Sequence, residues 1–163
     1  MISLESLGKQ LTTSVNSMVI GNTGVQIHRI QNSRDSRGAL AIVDFFEFTP
    51  FVPQRVFFTF DVPEGELRGS HAHKSCRQFF LCLGGECSVE ISNGKDTERI
   101  RMDTPIYGLS LPPMIWSTQF DFSSNASLLV LASEPYREDD YVRKYDEFLG
   151  LTKAIQKGSH DHD

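Results

Sequence analysis

Short runs of apolar, β-branched and aromatic residues alternate with turn residues along most of this chain. This pattern is typical of strands and predicts a succession of them rather than long helices. The runs 77–83 and 127–133 are apolar on both alternations, which indicates burial between two sheets. The predicted strand segments are 25–30, 39–48, 54–61, 77–83, 86–92, 97–102, 106–111, 115–120 and 127–133.

Turn-forming residues separate these runs. Gly84-Gly85, Pro112-Pro113 and residues 123–125 each interrupt an apolar stretch. Asn93-Gly94, between two strand-like runs, is the sharpest hairpin signal of the chain. Many short strands at close spacing predict an all-β sandwich or barrel.

The segment 137–150 breaks the strand pattern. Tyr141, Tyr145 and Phe148 stand four and three residues apart, so that they would share one face of a helix. Acidic residues begin the segment and Gly150 ends it, as in a capped helix. The sequence therefore predicts a C-terminal α-helix.

A single domain accounts for the 163 residues, because the pattern contains neither a repeat nor a linker. We predict an N-terminal lead-in at residues 1–24, a domain at 25–150 that includes the helix, and a polar tail at 151–163. The lead-in fits a short helix or a loose segment equally well. In the tail, His160 and His162 are predicted to be exposed and not to form a metal site.

Composition and charge narrow the class of protein. Hydrophobic residues make up 39% and charged residues 23%, as in ordinary soluble chains. The net charge of −5 gives no support for nucleic-acid binding. No apolar run approaches the roughly 20 residues that span a bilayer, and a secretion signal is not predicted. Cys76, Cys82 and Cys87 are predicted to be reduced in a cytoplasmic protein, with Cys82 in the core.

The stretch 68–80 carries the most specific candidate chemistry. His71 and His73 stand two apart, so on a strand both side chains point to one face. If that face lines a small barrel, the pair projects into the lumen, where such barrels bind ligands. The pair suits a metal or proton transfer equally, and two surface histidines beside a turn are the plainer alternative. Arg68 and Lys74 bracket the pair, and Gly69 would let a ligand approach the backbone. These neighbours favour a site.

The order of these residues resembles the cupin superfamily, and so predicts an all-β, cupin-type double-stranded β-helix (jelly-roll barrel) with a C-terminal α-helix. Gln78 stands where a cupin has its glutamate ligand, and Trp116 and Ser117 stand where its last histidine is expected. A catalytic metal usually needs three good protein ligands such as histidine and carboxylate. We therefore predict no metal and a histidine pair kept for proton transfer. A metal-dependent cupin is the least favoured alternative.

A closer resemblance covers roughly residues 25 to 149. It looks like the sugar-nucleotide 3,4-ketoisomerase family, the WxcM-like or FdtA-type cupins. The resemblance implies a homodimer that needs no cofactor and moves the keto group of dTDP-4-keto-6-deoxyglucose from C4 to C3, for deoxy amino sugar and surface polysaccharide biosynthesis. The motifs that carry it are, in order, DSRGAL, QRVFFTFDVPEG, RGSHAHK, GLSLPPMIWS, DFSSNASLLVLAS and YREDDYVRKYDEF.

The implied reaction removes a proton from C3, forms an enediol or enediolate, and returns a proton at C4. Such a site needs a base, an acid and groups that stabilise the oxygens. The resemblance implies that His71 and His73 are the acid–base pair, without deciding which is the base. It also makes Arg68 a candidate for stabilising negative charge on the sugar oxygens or the diphosphate, with an ordinary surface arginine as the alternative.

Four further residues are candidates for substrate binding: Arg37, Arg55, Gln78 and Trp116. Arg37 and Arg55 could bind the diphosphate, because a guanidinium fork matches phosphate oxygens, but each fits a structural ion pair equally well. Trp116 could line the pocket or stack on the base, and it fits the core or a dimer interface equally well.

The sequence departs from the family at two places. Members commonly carry a tyrosine in the strand before the histidine pair, where this chain has Phe57, Phe58 and Phe60. Phenylalanine keeps the shape but loses the hydroxyl. Members also often have a histidine where Ser117 stands. These departures leave open a second function, that of a non-catalytic cupin that binds a nucleotide sugar as an accessory or regulatory subunit.

Overall fold

Fourteen short strands form most of the secondary structure in the computed structural model, which describes residues 1–11, 16–45 and 51–158. Two α-helices accompany them, α1 (Leu4–Gly8) and α2 (Tyr145–Gly158). The strands are β1 (Ile2–Ser3), β2 (Ser17–Val19), β3 (Gln26–Arg29), β4 (Gln31–Asp35), β5 (Gly38–Ile42), β6 (Arg55–Phe60), β7 (Arg68–His73), β8 (Gln78–Gly84), β9 (Cys87–Ser92), β10 (Thr97–Met102), β11 (Tyr107–Leu111), β12 (Trp116–Phe120), β13 (Ser127–Ala132) and β14 (Tyr141–Val142).

Two six-stranded sheets pack against each other around the main core. Sheet I has the order β1-β10-β9-β12-β7-β14, and sheet II has the order β2-β3-β11-β8-β13-β6. The strands β4 and β5 form a separate hairpin. The prediction of an all-β fold with a C-terminal helix is confirmed.

The alternation of apolar and polar residues explains where the core lies. Phe80 and Leu128, from two neighbouring strands of sheet II, are almost fully buried, and they pack with Val89 and Ile91 of sheet I. The two doubly apolar runs form β8 and β13, side by side inside sheet II. Burial on both faces is therefore confirmed for most of these two strands.

The predicted hairpin at Asn93-Gly94 is confirmed. β9 and β10 pair antiparallel, with Ser92 opposite Thr97. The Asn93 side-chain oxygen accepts hydrogen bonds from the backbone N–H groups of Lys95 and Asp96, which closes the turn. Gly94 has φ +88°, a conformation that glycine adopts without strain.

The N-terminal residues contribute to the core. β1 pairs parallel with β10, and the side chain of Ser3 caps the first turn of α1. Leu4 and Leu7 of this helix are buried in the main core. Of the two alternatives for the lead-in, the short helix is the one formed, while residues 12–15 lie outside the described part of the chain.

The C-terminal helix differs from the prediction at both ends. Residues 138–140 form a 3₁₀ turn and Tyr141 lies in β14, so the helix begins at Tyr145 instead of near 137. It also continues past Gly150 to Gly158. Backbone pairing of β14 with β7 outweighs the helical spacing, because it completes the edge of sheet I. The predicted tail is thus helical as far as 158, and the tail histidines lie beyond the described residues.

All three cysteines are buried free thiols, and Cys82 lies in the main core as predicted. Within the described ranges, no helix has both the length and the apolar character needed to cross a membrane.

Candidate active site

A β-bulge in β7 precedes the two histidines. β7 pairs with β12, but the register shifts, so that Ser117 lies opposite His71 while Thr118 lies opposite Gly69. Ser70 is the extra residue of the bulge, and it has φ +56°, which is unusual for a residue with a side chain. Bulges of this kind re-aim the side chains that follow them.

Gly69 is required by this bulge. Its φ is +74°, and a Cβ added there would lie 2.7 Å from the Gln119 side chain and 2.8 Å from the carbonyl oxygen of Ser117. The glycine thus permits a close approach between two neighbouring strands. The sequence had suggested the approach of a ligand at this glycine, and the structure shows β12 in that place.

His71 and His73 form a three-ring cluster with Tyr141. The ring centroids of the two histidines are 5.0 Å apart, and Tyr141 lies 4.9 Å from His71 and 4.4 Å from His73. Tyr141 reaches this position because β14 pairs with β7, placing it opposite His73 in the register. Ala72, between the histidines, packs on the other face of the sheet with residues of α2.

A buried carboxylate orients His73. The Nδ1–H of His73 donates to Oδ2 of Asp140 at 2.7 Å, and both side chains are about 95% buried. The other oxygen of Asp140 accepts from the backbone N–H and the hydroxyl of Ser75, at 2.7 and 2.8 Å. The carboxylate therefore fixes the tautomer that leaves Nε2 of His73 without a proton. This Nε2 is buried and, among the described residues, has no hydrogen-bond partner.

Both histidines are held neutral. Burial lowers the pKa of His71 to about 4, and the positive charges of Arg143 and Arg55 act in the same direction. Burial also lowers the pKa of His73, although Asp140 opposes this effect. For Asp140, burial alone would raise the pKa, but the hydrogen bonds from Ser75 and His73 outweigh it and the pKa is lowered. The site thus pairs an ionised carboxylate with a neutral imidazole.

A cavity of about 110 Å³ adjoins His71 inside the barrel. Gln78 and Ser117, which occupy the positions of cupin metal ligands, line it and offer a neutral amide and a hydroxyl. This donor set suits hydrogen bonding to a sugar better than binding of a metal. The lining residues are Phe57, Thr59, Arg68, Gly69, His71, Gln78, Phe80, Ser117, Gln119, Leu128 and Val130.

The three phenylalanines that stand where family members commonly carry a tyrosine lie on two different faces of β6. Phe57 lines the cavity, whereas Phe58 and Phe60 are 58% and 55% exposed. Alternate residues of a strand point to opposite faces, so these two lie on the outside of the barrel. Only Phe57 therefore stands where a tyrosine hydroxyl would enter the cavity.

Two arginines flank the histidines. The Arg55 guanidinium lies over the rings of Phe57 and Tyr136, at 5.3 and 5.6 Å. Arg143 lies 4.4 Å over the ring of Tyr141 and is held by Glu138 through two hydrogen bonds. These two guanidinium groups place positive charge beside the histidines, and Arg55 in particular favours an anionic ligand.

Two of the residues predicted from the sequence lie elsewhere. Arg37 is on the hairpin of β4 and β5, where its 88% exposed side chain pairs with Asp35 at 2.6 Å. Trp116 is 9% exposed and packs against Tyr145 and Phe148 of α2. These positions match the alternatives of an ion pair and a core residue. Arg68, Gln78 and His71 line the cavity together, with Arg55 and His73 beside it.

Sequence reasoning missed the two residues that complete the histidine cluster, Asp140 and Tyr141. Both lie in the segment predicted as a helix. The only available signal was the motif YREDDYVRKYDEF, whose order matches the family but whose spacing does not indicate a contact with β7.

Comparison with known proteins places the chain in a family. The family FdtA, described as WxcM-like, C-terminal, matches residues 23–153. This chain belongs to the FdtA family. The family prediction made from the sequence is therefore confirmed. A curated TDP-4-oxo-6-deoxy-alpha-D-glucose-3,4-oxoisomerase from Aneurinibacillus thermoaerophilus is 42% identical over 114 residues, which cover 70% of this chain and 82% of that protein.

Solved structures of proteins described as 3,4-ketoisomerases share the fold. The TDP-quinovose 3,4-ketoisomerase WlaRB from Campylobacter jejuni is 37% identical, with a TM-score of 0.74 over 80% of this chain and 98% of that one. A mutant of the 3,4-ketoisomerase QdtA from Thermoanaerobacterium thermosaccharolyticum, in complex with TDP-4-keto-6-deoxyglucose, is 31% identical, with a TM-score of 0.79 over 83% of this chain and 97% of that one. The predicted cupin-type barrel is confirmed.

Proposed function

We propose that this protein is a 3,4-ketoisomerase that moves the keto group of dTDP-4-keto-6-deoxyglucose from C4 to C3, without a metal or a cofactor. The relative from Aneurinibacillus supports this substrate by its name, and the related QdtA structure contains it. The observation that carries the proposal is the histidine cluster itself. A neutral His73, oriented by Asp140, contacts Tyr141 and His71, and His71 lines a cavity that also contains polar groups.

In the proposed mechanism His73 is the base. Its Nε2 removes the proton from C3, and the imidazolium that forms is stabilised by the carboxylate of Asp140. The same imidazolium returns a proton to C4, the neighbouring carbon. The unprotonated Nε2 and the short bond from Nδ1 to Asp140 support this assignment.

The oxygens also exchange a proton, because the hydroxyl on C3 becomes a ketone while the ketone on C4 becomes a hydroxyl. Tyr141 is the candidate for this transfer, since its hydroxyl can both donate and accept and its ring contacts both histidines. His71, kept neutral by burial, can donate an N–H to the enediolate. Phe57, which lines the cavity from β6, has no hydroxyl that could take part in this transfer.

In this proposal, two arginines bind the negatively charged groups of the substrate. Arg68 lines the cavity and is the candidate partner of the enediolate oxygens. Arg55, stacked between two aromatic rings, is the candidate for the diphosphate.

Proton NMR of dTDP-4-keto-6-deoxyglucose incubated with the protein in deuterated water tests the proposal. We expect the C3 proton signal to disappear as a 3-keto species forms, and the coupling at C4 gives the stereochemistry of the product. Exchange at C3 without a new ketone would show a working base and a failed reprotonation. Binding without exchange would favour the non-catalytic module that the sequence left open, and neither binding nor exchange would refute the substrate.

We further propose that the protein is a homodimer. The outward side chains Val56, Phe58 and Phe60 of β6 are 54%, 58% and 55% exposed, which leaves an apolar edge strand for a partner to cover. Phe58→Asp should convert a dimer to a monomer in analytical ultracentrifugation, whereas Leu67→Asp, at an equally exposed loop residue, should not. A wild-type monomer would contradict the proposal.

The cellular setting is also a proposal. The three free thiols support a reducing compartment such as the cytoplasm. A 3-keto product would feed an amino-transfer step in deoxy amino sugar and surface polysaccharide biosynthesis.

A further inference from the structure

A second set of metal-binding side chains lies beside the proposed base. The ligand atoms of His73, Cys76 and Asp140 are all within 4.8 Å of one another. The three side chains are almost completely buried, with 4%, 2% and 6% exposure. None of them lines the cavity that holds His71 and Gln78. The cluster shares His73 with the histidine pair of the cupin motif, but Cys76 and Asp140 are not among the positions at which a cupin binds its metal.

The turn between β7 and β8 brings the thiol to this place. Ser75 binds the carboxylate of Asp140 through its backbone N–H and hydroxyl, and Cys76 follows directly. Among the described residues, the thiol has weak contacts with the carbonyl of Arg77 at 3.4 Å and the hydroxyl of Ser133 at 3.9 Å. A metal would therefore displace little when it takes the sulfur as a ligand.

The donor set matches zinc. Thiolate, imidazole nitrogen and carboxylate oxygen are the ligands that Zn²⁺ prefers, at about 2.0 to 2.3 Å from the metal. Tetrahedral geometry then separates the ligand atoms by roughly 3 to 4 Å. The 2.7 Å between His73 Nδ1 and Asp140 Oδ2 has to widen by less than about 1 Å, and the thiol has to move inward by a similar amount.

We propose that Zn²⁺ binds to His73 Nδ1, Cys76 Sγ and Asp140 Oδ2, and that its binding inhibits the enzyme. The metal takes the place of the proton between His73 and Asp140. That proton moves to Nε2 of His73, the thiol of Cys76 releases its proton to solvent, and no electrons are transferred. Nε2 then carries a hydrogen and can no longer act as the base. The inhibition rests on the proposed function, but the metal site does not.

Cobalt binding tests the site without any reference to catalysis. Co²⁺ added to the metal-free protein should give a near-ultraviolet thiolate-to-cobalt charge-transfer band, and Zn²⁺ should displace it. Cys76→Ser should lose the band, while Cys82→Ser, at a buried thiol of the main core, should keep it. The absence of the band in the wild-type protein, or its persistence in both Cys76→Ser and Cys76→Ala, would overturn the proposal.

Zinc inhibition of the ketoisomerase reaction then tests the regulatory part. Cys76→Ser should keep most of the activity without metal and should need at least about tenfold more Zn²⁺ for half inhibition. Inhibition of the wild-type protein should strengthen as the pH rises, because metal binding releases the thiol proton. If Zn²⁺ inhibits the wild-type and Cys76→Ser proteins equally, it acts through another site, and the proposed inhibition is overturned. A protein with no isomerase activity but a cobalt band would refute the proposed function and retain the site.

Discussion

β6 and β7 both border the histidine site, and they are built in opposite ways. β6 is a regular strand paired along its whole length with β13, so its residues alternate between the cavity and the outer surface. β7 contains the bulge at Gly69 and Ser70, two consecutive residues with positive φ. The regular strand contributes shape and apolar surface, and the irregular strand carries the two histidines of the proposed acid–base chemistry.

The difference shows where precision is required. A phenylalanine in β6 only has to fill space, and a regular strand directs it adequately. His73 must present one unprotonated nitrogen in one direction, and this depends on the bulge, on a carboxylate 67 residues away in sequence and on the turn at Ser75. Changes in β7 and its partners should therefore be far more damaging than changes in β6.

Replacing the base should have the largest effect. His73→Asn removes the nitrogen proposed to take the C3 proton, so kcat should fall about 1000-fold while the sugar nucleotide still binds. NMR turnover and calorimetric binding measure the two quantities. His28→Asn, at a half-buried histidine of β3 outside the site, should leave kcat nearly unchanged. Turnover of His73→Asn near the wild-type rate would assign the base to another group.

Removing the carboxylate that orients His73 should cost about 100-fold in kcat. In Asp140→Asn the pKa of His73 should fall further, because the carboxylate is the group that raises it against burial. The acid limb of kcat/KM, where the base becomes protonated, should therefore move to lower pH in the variant. If Asp140→Asn only disturbed the structure, kcat would fall but the acid limb of kcat/KM would stay at the same pH. Asp139→Asn, next in sequence and exposed, is the matched control.

Gly69→Ala tests the bulge. The added methyl group is strained by the positive φ, and it also collides with Gln119 and Ser117. Because both effects destabilise the fold, the free energy of unfolding should fall by about 2 to 4 kcal/mol. Gly65→Ala has only the first effect, since its φ is +82° and nothing lies within 4 Å. It should lose about 1 to 2 kcal/mol. Equal losses in urea unfolding would mean that the close approach of β12 is unimportant.

The smallest effect is expected in β6. Phe57→Tyr places a hydroxyl in the cavity and should change kcat by a few fold, because it adds a group that can donate to the sugar. Phe58→Tyr places the same hydroxyl on the outer surface and should leave kcat unchanged. Similar responses of the two variants in the NMR assay would contradict the assigned directions of these side chains.

The pattern of the sequence predicted the regular parts of the molecule better than the irregular ones. β8 and β13 could be predicted because a short apolar run between two turns can form few structures other than a buried strand. The bulge at Gly69 depends on how β12 pairs with β7, and no local pattern encodes that pairing. For the same reason Tyr141 looked helical, since its spacing to Tyr145 is four residues. Its pairing with β7 is a long-range contact, and it also brings Asp140 to His73.

β14 is only two residues long, but it determines when in synthesis the histidine cluster becomes complete. The last strand around the cavity, β13, ends at Ala132, before Asp140 and Tyr141 have left the ribosome. A nascent chain can therefore close its barrel around an oriented cavity while its base still lacks a carboxylate. Closure of the barrel can thus precede completion of the histidine cluster by a few residues of translation.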